Sequence, residues 1–239
     1  NYLAMPKDPV VIQAVINNII WTIVTIFFPV VIGLALAMIL NGKVRGKPVL
    51  RLLFYTPCVL PLIAIASIWG WLYNPQYGAI NAFLRAIGLG SLAQPWLGQD
   101  STALAAVMVP AIWLRVGFPM LLYLAALQGI NTEMYEAATV DGATKSQQFW
   151  HITMPSLRPA HYIVIALSLI DSFKVFDLIY AMTYGGPGTA TQVMGTWMYF
   201  NVFQYYQAGY GTAIAVVITI VAIAVSIPYV RSQTKEHAV

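Results

Sequence analysis

Five long apolar runs dominate this chain. Crossing the hydrocarbon core of a bilayer takes roughly 20 helical residues, and the runs that qualify are residues 18–40, 52–73, 103–127, 160–182 and 210–229. Only 8% of the 239 residues are charged, and the mean hydropathy is +0.73. A water-soluble domain needs far more polar surface, and the runs are too long for the alternating strands of a membrane barrel. The sequence predicts an all-α, polytopic transmembrane helical bundle with five spans.

The distribution of basic residues predicts the orientation of the chain. Alternate connections lie on the same side of a membrane, and eight of the twelve lysines and arginines fall in residues 41–51, 128–159 and the tail after residue 229. Only Lys7 and Arg85 fall on the other side. The positive-inside rule therefore places the C-terminus and the central polar segment in the cytoplasm and the N-terminus outside. An outside N-terminus without a signal peptide predicts either unaided translocation or a further helix before residue 1.

Composition argues against several classes of function. The single cysteine, Cys58, excludes a disulfide framework. The acids and histidines have no metal-ligand spacing, and no nucleophile stands beside a base. The segment 42–48, GKVRGKP, has its glycines one residue too close for a phosphate loop, and proline stands where a serine or threonine would hold magnesium. No basic patch with interleaved aromatics indicates nucleic acid. We therefore predict a chain that is not an enzyme.

The central segment EAATVDGATKSQQFWHITMP, residues 136–155, is unusually polar for this chain. Residues 133–140 are predicted to form a short helix with Asn131 or Thr132 as N-cap, followed by a turn at Gly142. Residues 144–147 match the capping box S/T-x-x-Q, which predicts a second short helix that ends before Pro155. The segment is either a solvated loop or a compact surface that docks on another protein.

The same segment carries a resemblance to a known family. Glu136-Ala137-Ala138, then Gly142, then Ile152-Thr153-Met154-Pro155 resembles the EAA–G–I-x-L-P signature of ABC-importer permeases, with methionine in place of leucine. "NPQYGAINAFLRAIGL", "LAALQGINTEMYEAATVDGA" and "FDLIYAMTYGGPGTATQV" are similar to sugar-importer permeases of the maltose and glycerol-phosphate types. The family often has proline where Asn131 stands. Its sugar-type members usually have a further N-terminal helix, and "NYLAMPKDP" is similar to the loop that follows it.

The resemblance implies a type I ABC importer permease: one transmembrane permease domain over residues 1–239, with a cytoplasmic coupling segment over residues 131–158. The implied partners are a homologous second permease, two cytoplasmic ATPase subunits that bind ATP and magnesium, and an extracytoplasmic sugar-binding protein. The implied location of the chain is the inner membrane of a prokaryote. The chain itself would hold no cofactor. The residues expected to contact the ATPase are Glu136, Ala137, Ala138, Asp141, Gly142, Ile152 and Pro155.

Charged and polar residues inside the spans suggest a substrate pathway. Asp171, Lys174 and Asp177 are spaced by three, so on one helix Lys174 would reach either aspartate, as a structural ion-pair ladder or as a polar stripe that faces a pore. The full set of pathway candidates is Trp113, Arg115, Ser168, Asp171, Ser172, Lys174, Tyr184 and Asn201. Acids beside Lys174 favour a neutral di- or oligosaccharide. A self-sufficient secondary transporter with these charges as an ion relay is the alternative.

The connection at residues 183–209 contains no lysine, arginine, aspartate or glutamate. It is predicted either to meet an external binding protein or to be a re-entrant piece packed in the translocation path. The sequence alone does not distinguish between these two interpretations.

Overall fold

The computed structural model describes the backbone of residues 1–236 and the side chains of residues 1–225 and 227. The charges of the C-terminal tail, Arg231 and Lys235, therefore lie outside the described side chains. The described backbone is helical and contains no strand. Its α-helices are α1 Pro9–Asn41, α2 Lys47–Tyr55, α3 Leu62–Leu72, α4 Ala79–Ala86, α5 Asp100–Arg115, α6 Gly117–Gln128, α7 Thr132–Val140, α8 Lys145–Gln148, α9 Met154–Ser156, α10 Arg158–Phe173, α11 Asp177–Thr183, α12 Met194–Tyr199 and α13 Ala208–Glu236.

Shorter elements fill several of the breaks between these helices. Three 3-10 helices lie at Met5–Lys7, Thr56–Val59 and Gly90–Leu92, and two π-helices lie at Phe149–Thr153 and Phe200–Gln204. A π-helix widens the helical turn by one residue and is rare outside single turns. Both π-helices follow directly on an α-helix, so they extend it rather than start a new direction.

The predicted spans are only partly continuous helices. Three apolar helical stretches in the described residues are long enough to cross a membrane: Pro9–Asn41, Asp100–Gln128 and Ala208–Val225. The predicted span 52–73 is instead a pair of helices, Lys47–Val59 and Leu62–Leu72, bent by 102°. Pro61 starts the second helix from an extended conformation, because it cannot donate to the preceding turn. A count of five spans is thus not confirmed.

The predicted span 160–182 is also interrupted. α10 ends at Phe173 and α11 starts at Asp177, with Phe176 at φ −152° between them. This break corrects the expectation that Asp171, Lys174 and Asp177 share one helical face. Lys174 lies in the interruption, and all three side chains are exposed in the isolated chain. They do not form the ladder that their spacing suggested.

The chain divides into two compact units. Unit 1 comprises Asn1–Thr25, Leu60–Ile112 and Leu169–Val239, and unit 2 comprises Ile26–Val59 and Trp113–Ser168. The core of unit 2 is formed by α1, α6 and the start of α10, with Leu40, Met120 and Tyr123 almost fully buried. At Gly33 of α1, a Cβ would lie 2.7 Å from the Cβ of Pro119. Only glycine permits this close helix contact, as is common between membrane helices.

Unit 1 has its own core. Met5, Val11 and Ala14 from the N-terminal region pack with Met194, and with Ala213 and Ile214 of α13. Polar side chains are also buried here; they are Asn17, Thr25, Asn81, Ser172, Thr191, Gln192, Thr196 and Asn201. Because an unpaired polar group in hydrocarbon costs several kcal/mol, each needs an internal partner. Unit 1 is therefore organised by hydrogen bonds as well as by apolar packing.

Candidate functional site

Residues 131–158 form a hairpin of short helices in unit 2, which we call the coupling segment. α7 runs from Thr132 to Val140, and Gly142 turns the chain at φ +80°. α8 starts at Lys145 and continues through the π-helix Phe149–Thr153 into α9. The predicted helix–turn–helix is confirmed.

Local capping explains where both helices start. The Asn131 side-chain oxygen accepts a hydrogen bond from the Glu133 backbone N–H at 3.0 Å. Thr144 and Gln147 form the complete capping box, with the Thr144 N–H donating to Gln147 Oε1 at 2.8 Å and the Gln147 N–H to Thr144 Oγ1 at 3.3 Å. Each cap satisfies backbone donors that have no partner within the helix. The predictions for both N-termini are confirmed.

The prediction that the second helix ends before Pro155 is wrong. The helix continues to Ser156, with Pro155 in the first turn of α9. In the π-helix the bonding pattern widens, so that the Met154 N–H donates to the Phe149 oxygen. α-Helical bonding is present again at the end of α9, where the Leu157 N–H donates to the Thr153 oxygen at 3.0 Å. Pro155, which has no N–H, lies where the two bonding patterns change over.

A buried polar network joins the two helices, and the sequence reasoning missed it. Gln148 is 4% exposed, and its Nε2 donates to Thr139 Oγ1 at 2.9 Å and to the Tyr135 oxygen at 3.4 Å. The Tyr135 and Thr153 hydroxyls are 2.9 Å apart. Lys145 Nζ donates to Gln148 Oε1 at 3.3 Å. The hairpin thus keeps its shape through its own hydrogen bonds. In the sequence, the network was indicated only by Gln148, a second glutamine that follows the capping box and has no part in it.

The residues predicted to contact an ATPase occupy different positions on the hairpin. Glu136, Ala137, Asp141, Gly142 and Pro155 are exposed, whereas Ala138 and Ile152 are half-buried. No hydrogen bond or ion pair joins the Glu136 carboxylate to another residue among those the structure describes, unlike the Glu133 carboxylate, whose Oε2 accepts from Asn131 at 3.1 Å. Val140 is 88% exposed at the tip. The hairpin therefore presents a carboxylate and an apolar side chain outward.

The uncharged connection after α11 is packed into unit 1. Asn17 Nδ2 of α1 donates to the oxygens of Ala190 and Gln192 at 2.9 and 2.7 Å. The neighbouring Asn18 accepts from the Met194 N–H at 2.8 Å. These contacts anchor residues 184–193 on α1. The pair of asparagines inside an apolar helix could have indicated that α1 binds another segment of the chain, but the sequence analysis did not consider it.

Two threonines and a glutamine secure the same connection internally. The Thr183 and Thr191 hydroxyls are 2.7 Å apart, and Thr191 also donates to the Gly186 oxygen at 2.8 Å. Thr196 donates to Gln192 Oε1 at 2.6 Å. Residues 203–209, in contrast, are exposed. The connection is therefore packed over residues 190–202 and exposed over residues 203–209.

The pathway candidates of unit 1 differ in what they contact. Ser172 is fully buried; it accepts from Thr22 Oγ1 at 3.1 Å and donates to the Leu169 oxygen at 2.7 Å. Asn201 is 3% exposed and donates to the Trp197 oxygen at 2.8 Å within its own helix. Both are thus held by contacts within the unit. Tyr184 is 49% exposed and lies at φ +55°.

Tyr184 belongs to a cluster of aromatic rings in unit 1. Its ring centroid lies 4.9 Å from that of Tyr180 and 4.8 Å from that of Phe200. Tyr180 in turn stacks on Phe176 at 5.1 Å and meets Tyr199 edge-on at 5.2 Å. Gln204 also donates a hydrogen bond to the Tyr184 hydroxyl. The cluster surrounds Tyr184 with rings from α11, from α12 and from the π-helix Phe200–Gln204.

The remaining candidates, Trp113, Arg115 and Ser168, belong to unit 2. Trp113 is 41% exposed, while Arg115 and Ser168 are half-buried. Arg115 is the last residue of α5. The structure therefore separates the eight candidates into a group of five in unit 1 and a group of three in unit 2.

Comparison with known proteins identifies the family. Residues 29–234 match the family described as the inner membrane component of binding-protein-dependent transport systems. The chain is a member of this family. The resemblance found in the sequence is thereby confirmed, and the chain is an inner membrane component of a transport system.

Relatives and a solved structure support this assignment of the permease. The probable ABC transporter permease protein YurN of Bacillus subtilis (strain 168) is 40% identical over 95% of this chain and 78% of its own length. The trehalose/maltose transport system permease protein MalF of Thermococcus litoralis (strain ATCC 51850 / DSM 5473 / JCM 8560 / NS-C) is 35% identical over 88% of this chain and 70% of its own. A bacterial ABC transporter that imports the acidic polysaccharide alginate contains a chain of the same fold, with a TM-score of 0.87, 23% identity, and coverage of 98% and 82%.

Proposed function

We propose that the permease forms half of the translocation pathway of an ATP-driven importer for a neutral di- or oligosaccharide. Its partners are a second, homologous permease, two cytoplasmic ATPase subunits and an extracytoplasmic sugar-binding protein. ATP and magnesium bind to the ATPase subunits. The coupling segment, residues 131–158, seats in a cleft of one ATPase and transmits its movement to the helices of the permease.

The exposed carboxylate of Glu136 is the observation that carries this proposal. It stands on a helix that is held by internal hydrogen bonds, and it has no partner among the described residues. A carboxylate in that position gains a charge-assisted hydrogen bond from a basic residue of a docked protein. Ala137 beside it is small, so a partner can approach the backbone closely.

The sugar as cargo is supported by the names of relatives. One relative is a trehalose/maltose permease, and another is the multiple sugar-binding transport system permease protein MsmF of Streptococcus mutans serotype c (strain ATCC 700610 / UA159). Tyr184 is the best-placed candidate for stacking on the apolar face of a sugar ring, because it is half exposed at the edge of the aromatic cluster. Aromatic rings commonly recognise ligands through such faces.

The test is a double substitution in the assembled importer. Glu136→Ala together with Gly142→Val should abolish ATP-driven sugar uptake into proteoliposomes and weaken co-purification of the ATPase with the permease. The matched control is Glu133→Ala. It removes the same charge from the same helix, but at a carboxylate that already bonds Asn131. Intact uptake and assembly in the double variant would reject the coupling role of the segment.

The ion-coupled secondary transporter finds no support. It required Asp171, Lys174 and Asp177 to act as a relay on one helix, and the helix is interrupted at Lys174. The family to which the chain belongs is defined by binding-protein-dependent transport.

A further inference from the structure

A cavity of about 450 Å³, lined by both polar and apolar side chains, opens in unit 2 beside the coupling segment. Its walls come from the C-terminal end of α1, with Asn41 and Gly42, and from the coupling segment, with Tyr135, Lys145 and Gln148. Ligand sites commonly have volumes of about 300–1,000 Å³. Lys145 bonds Gln148 through one N–H of its ammonium group, which leaves two further donors for a ligand.

The wall formed by Asn41 and Gly42 continues into a strongly basic connection. Lys43, Arg45 and Lys47 follow within five residues, and residues 41–51 contain no aspartate or glutamate. Lys43 and Arg45 are exposed, and none of the three side chains makes a hydrogen bond or ion pair with another described residue. Lys145 is the charged residue among those that line the cavity, and the connection that continues from Gly42 carries basic residues and no acidic ones.

α2, which follows this connection, has the character of a helix that lies in a membrane interface. Val49, Leu52 and Leu53 are 60%, 66% and 61% exposed, while Lys47 and Arg51 place cations on the same short helix. Such helices bury an apolar face at the level of the lipid headgroups.

We propose that the phosphate headgroup of an anionic phospholipid binds between the basic connection, residues 42–47, and Lys145 of the coupling segment. The phosphate oxygens accept hydrogen bonds from Lys43, Arg45 or Lys47 on one side and from Lys145 on the other. The acyl chains lie along the exposed apolar side chains of α2. Basic pockets at the cytoplasmic ends of membrane helices bind anionic headgroups in this way.

A bound lipid at this position would connect the bilayer to the coupling segment. The headgroup would hold the second helix of the hairpin against the end of α1, because Lys145 opens that helix. A free phosphate ion could offer the same oxygens, but it has no acyl chains to place against Val49, Leu52 and Leu53. The apolar face of α2 therefore favours the lipid.

Native mass spectrometry of the assembled importer tests this site directly. The detergent-solubilised complex is titrated with phosphatidylglycerol, and retained lipid is counted for the wild type and for a Lys43→Gln/Arg45→Gln/Lys47→Gln variant. Each cation near an anionic headgroup contributes about fivefold in affinity, so the triple variant should bind the lipid roughly a hundredfold more weakly. Lys145→Gln alone should weaken the same binding about fivefold.

Three controls decide the interpretation. A Lys7→Gln/Arg85→Gln variant removes two positive charges outside the basic connection and the coupling segment, and it should bind phosphatidylglycerol as the wild type does. The amount of phosphatidylethanolamine retained should be the same in the wild type and in the triple variant of the basic connection.

Equal retention of phosphatidylglycerol by wild type and triple variant would overturn the proposal, as would an unchanged affinity in Lys145→Gln. Displacement of the lipid by millimolar inorganic phosphate would show that the site binds a phosphate ion instead. Binding is read without transport, so the result is independent of the proposed import function.

Discussion

At Gly142, the requirement of the backbone conformation for glycine can be tested separately from the space that a docked partner would need. Its φ is +80°, and a Cβ built there meets nothing within 4 Å. Crowding within the chain therefore does not require glycine; the left-handed backbone does.

Substitutions of Gly142 should show whether a docked ATPase depends on the left-handed turn or on the absence of a side chain there. Gly142→Ala should destabilise the turn by about 1–2 kcal/mol, and Gly142→Asn by less, because asparagine tolerates the left-handed region. If a docked ATPase covers the turn, Gly142→Asn should nevertheless lower sugar-stimulated ATPase activity, since its longer side chain occupies the interface. Gly129→Ala is the control, because Gly129 has φ −86° and ordinary contacts. It should neither destabilise its turn nor lower sugar-stimulated ATPase activity. Full activity of Gly142→Asn would mean that the tip stays open to solvent.

Gln148 supports a second prediction at the residue scale. Gln148→Leu removes the donor for Thr139 and leaves polar groups buried without partners, at a cost of about 1–3 kcal/mol. Amide hydrogen exchange across residues 132–156 should therefore accelerate about tenfold or more. Ser146→Ala, an exposed neighbour on the same helix, should change exchange little. A rate in Gln148→Leu equal to that of Ser146→Ala would show that the network does not hold the hairpin.

At the scale of elements, sequence reasoning succeeded where the determinant was local. The caps at Asn131 and Thr144 depend on residues two or three positions away, so they can be read directly from the sequence. The continuation through Pro155 could not be read, because it depends on a π-helix that ordinary α-helical rules do not anticipate. The Gln148 network also escaped, since its partners lie 9 and 13 residues away on another helix.

The connection of residues 184–193 supports a prediction at the same scale. Asn17→Ala removes both bonds to the Ala190 and Gln192 oxygens and should release this connection from α1. We expect faster hydrogen exchange and faster proteolysis confined to this region, from a loss of about 1–3 kcal/mol. Ser67→Ala, which removes an exposed hydroxyl from α3, is the control. Unchanged protection in Asn17→Ala would mean that apolar packing alone holds the connection.

At the scale of the whole molecule, composition was sufficient for the fold class and insufficient for the path of the chain. Apolar runs identified a helical membrane protein because hydrocarbon requires every backbone group to be satisfied internally. Hydropathy does not register where a helix stops, so the 102° bend before Leu62 and the interruption at Lys174 were both read as continuous spans. The pathway candidates were named without their partners for the same reason.

At the scale of the whole molecule, we predict that ATP, and not an ion gradient, supplies the energy for transport. Uptake of sugar by proteoliposomes that contain the full importer should require ATP inside the compartment that corresponds to the cytoplasm. It should be unchanged when ionophores collapse proton and sodium gradients. The permease without its ATPase should not accumulate sugar. Gradient-driven accumulation by the permease alone would reverse the assignment.

The internal hydrogen bonds of the coupling segment have a mechanical consequence. A segment that orders only on contact loses about 1–2 kcal/mol of backbone entropy per residue, which weakens the contact and absorbs part of any applied displacement. A hairpin whose helices are already joined through Gln148 and Tyr135 meets its partner as a stiff body. In the proposed importer it acts as a lever arm: a push at the tip is delivered to α10 as movement, with little lost in bending.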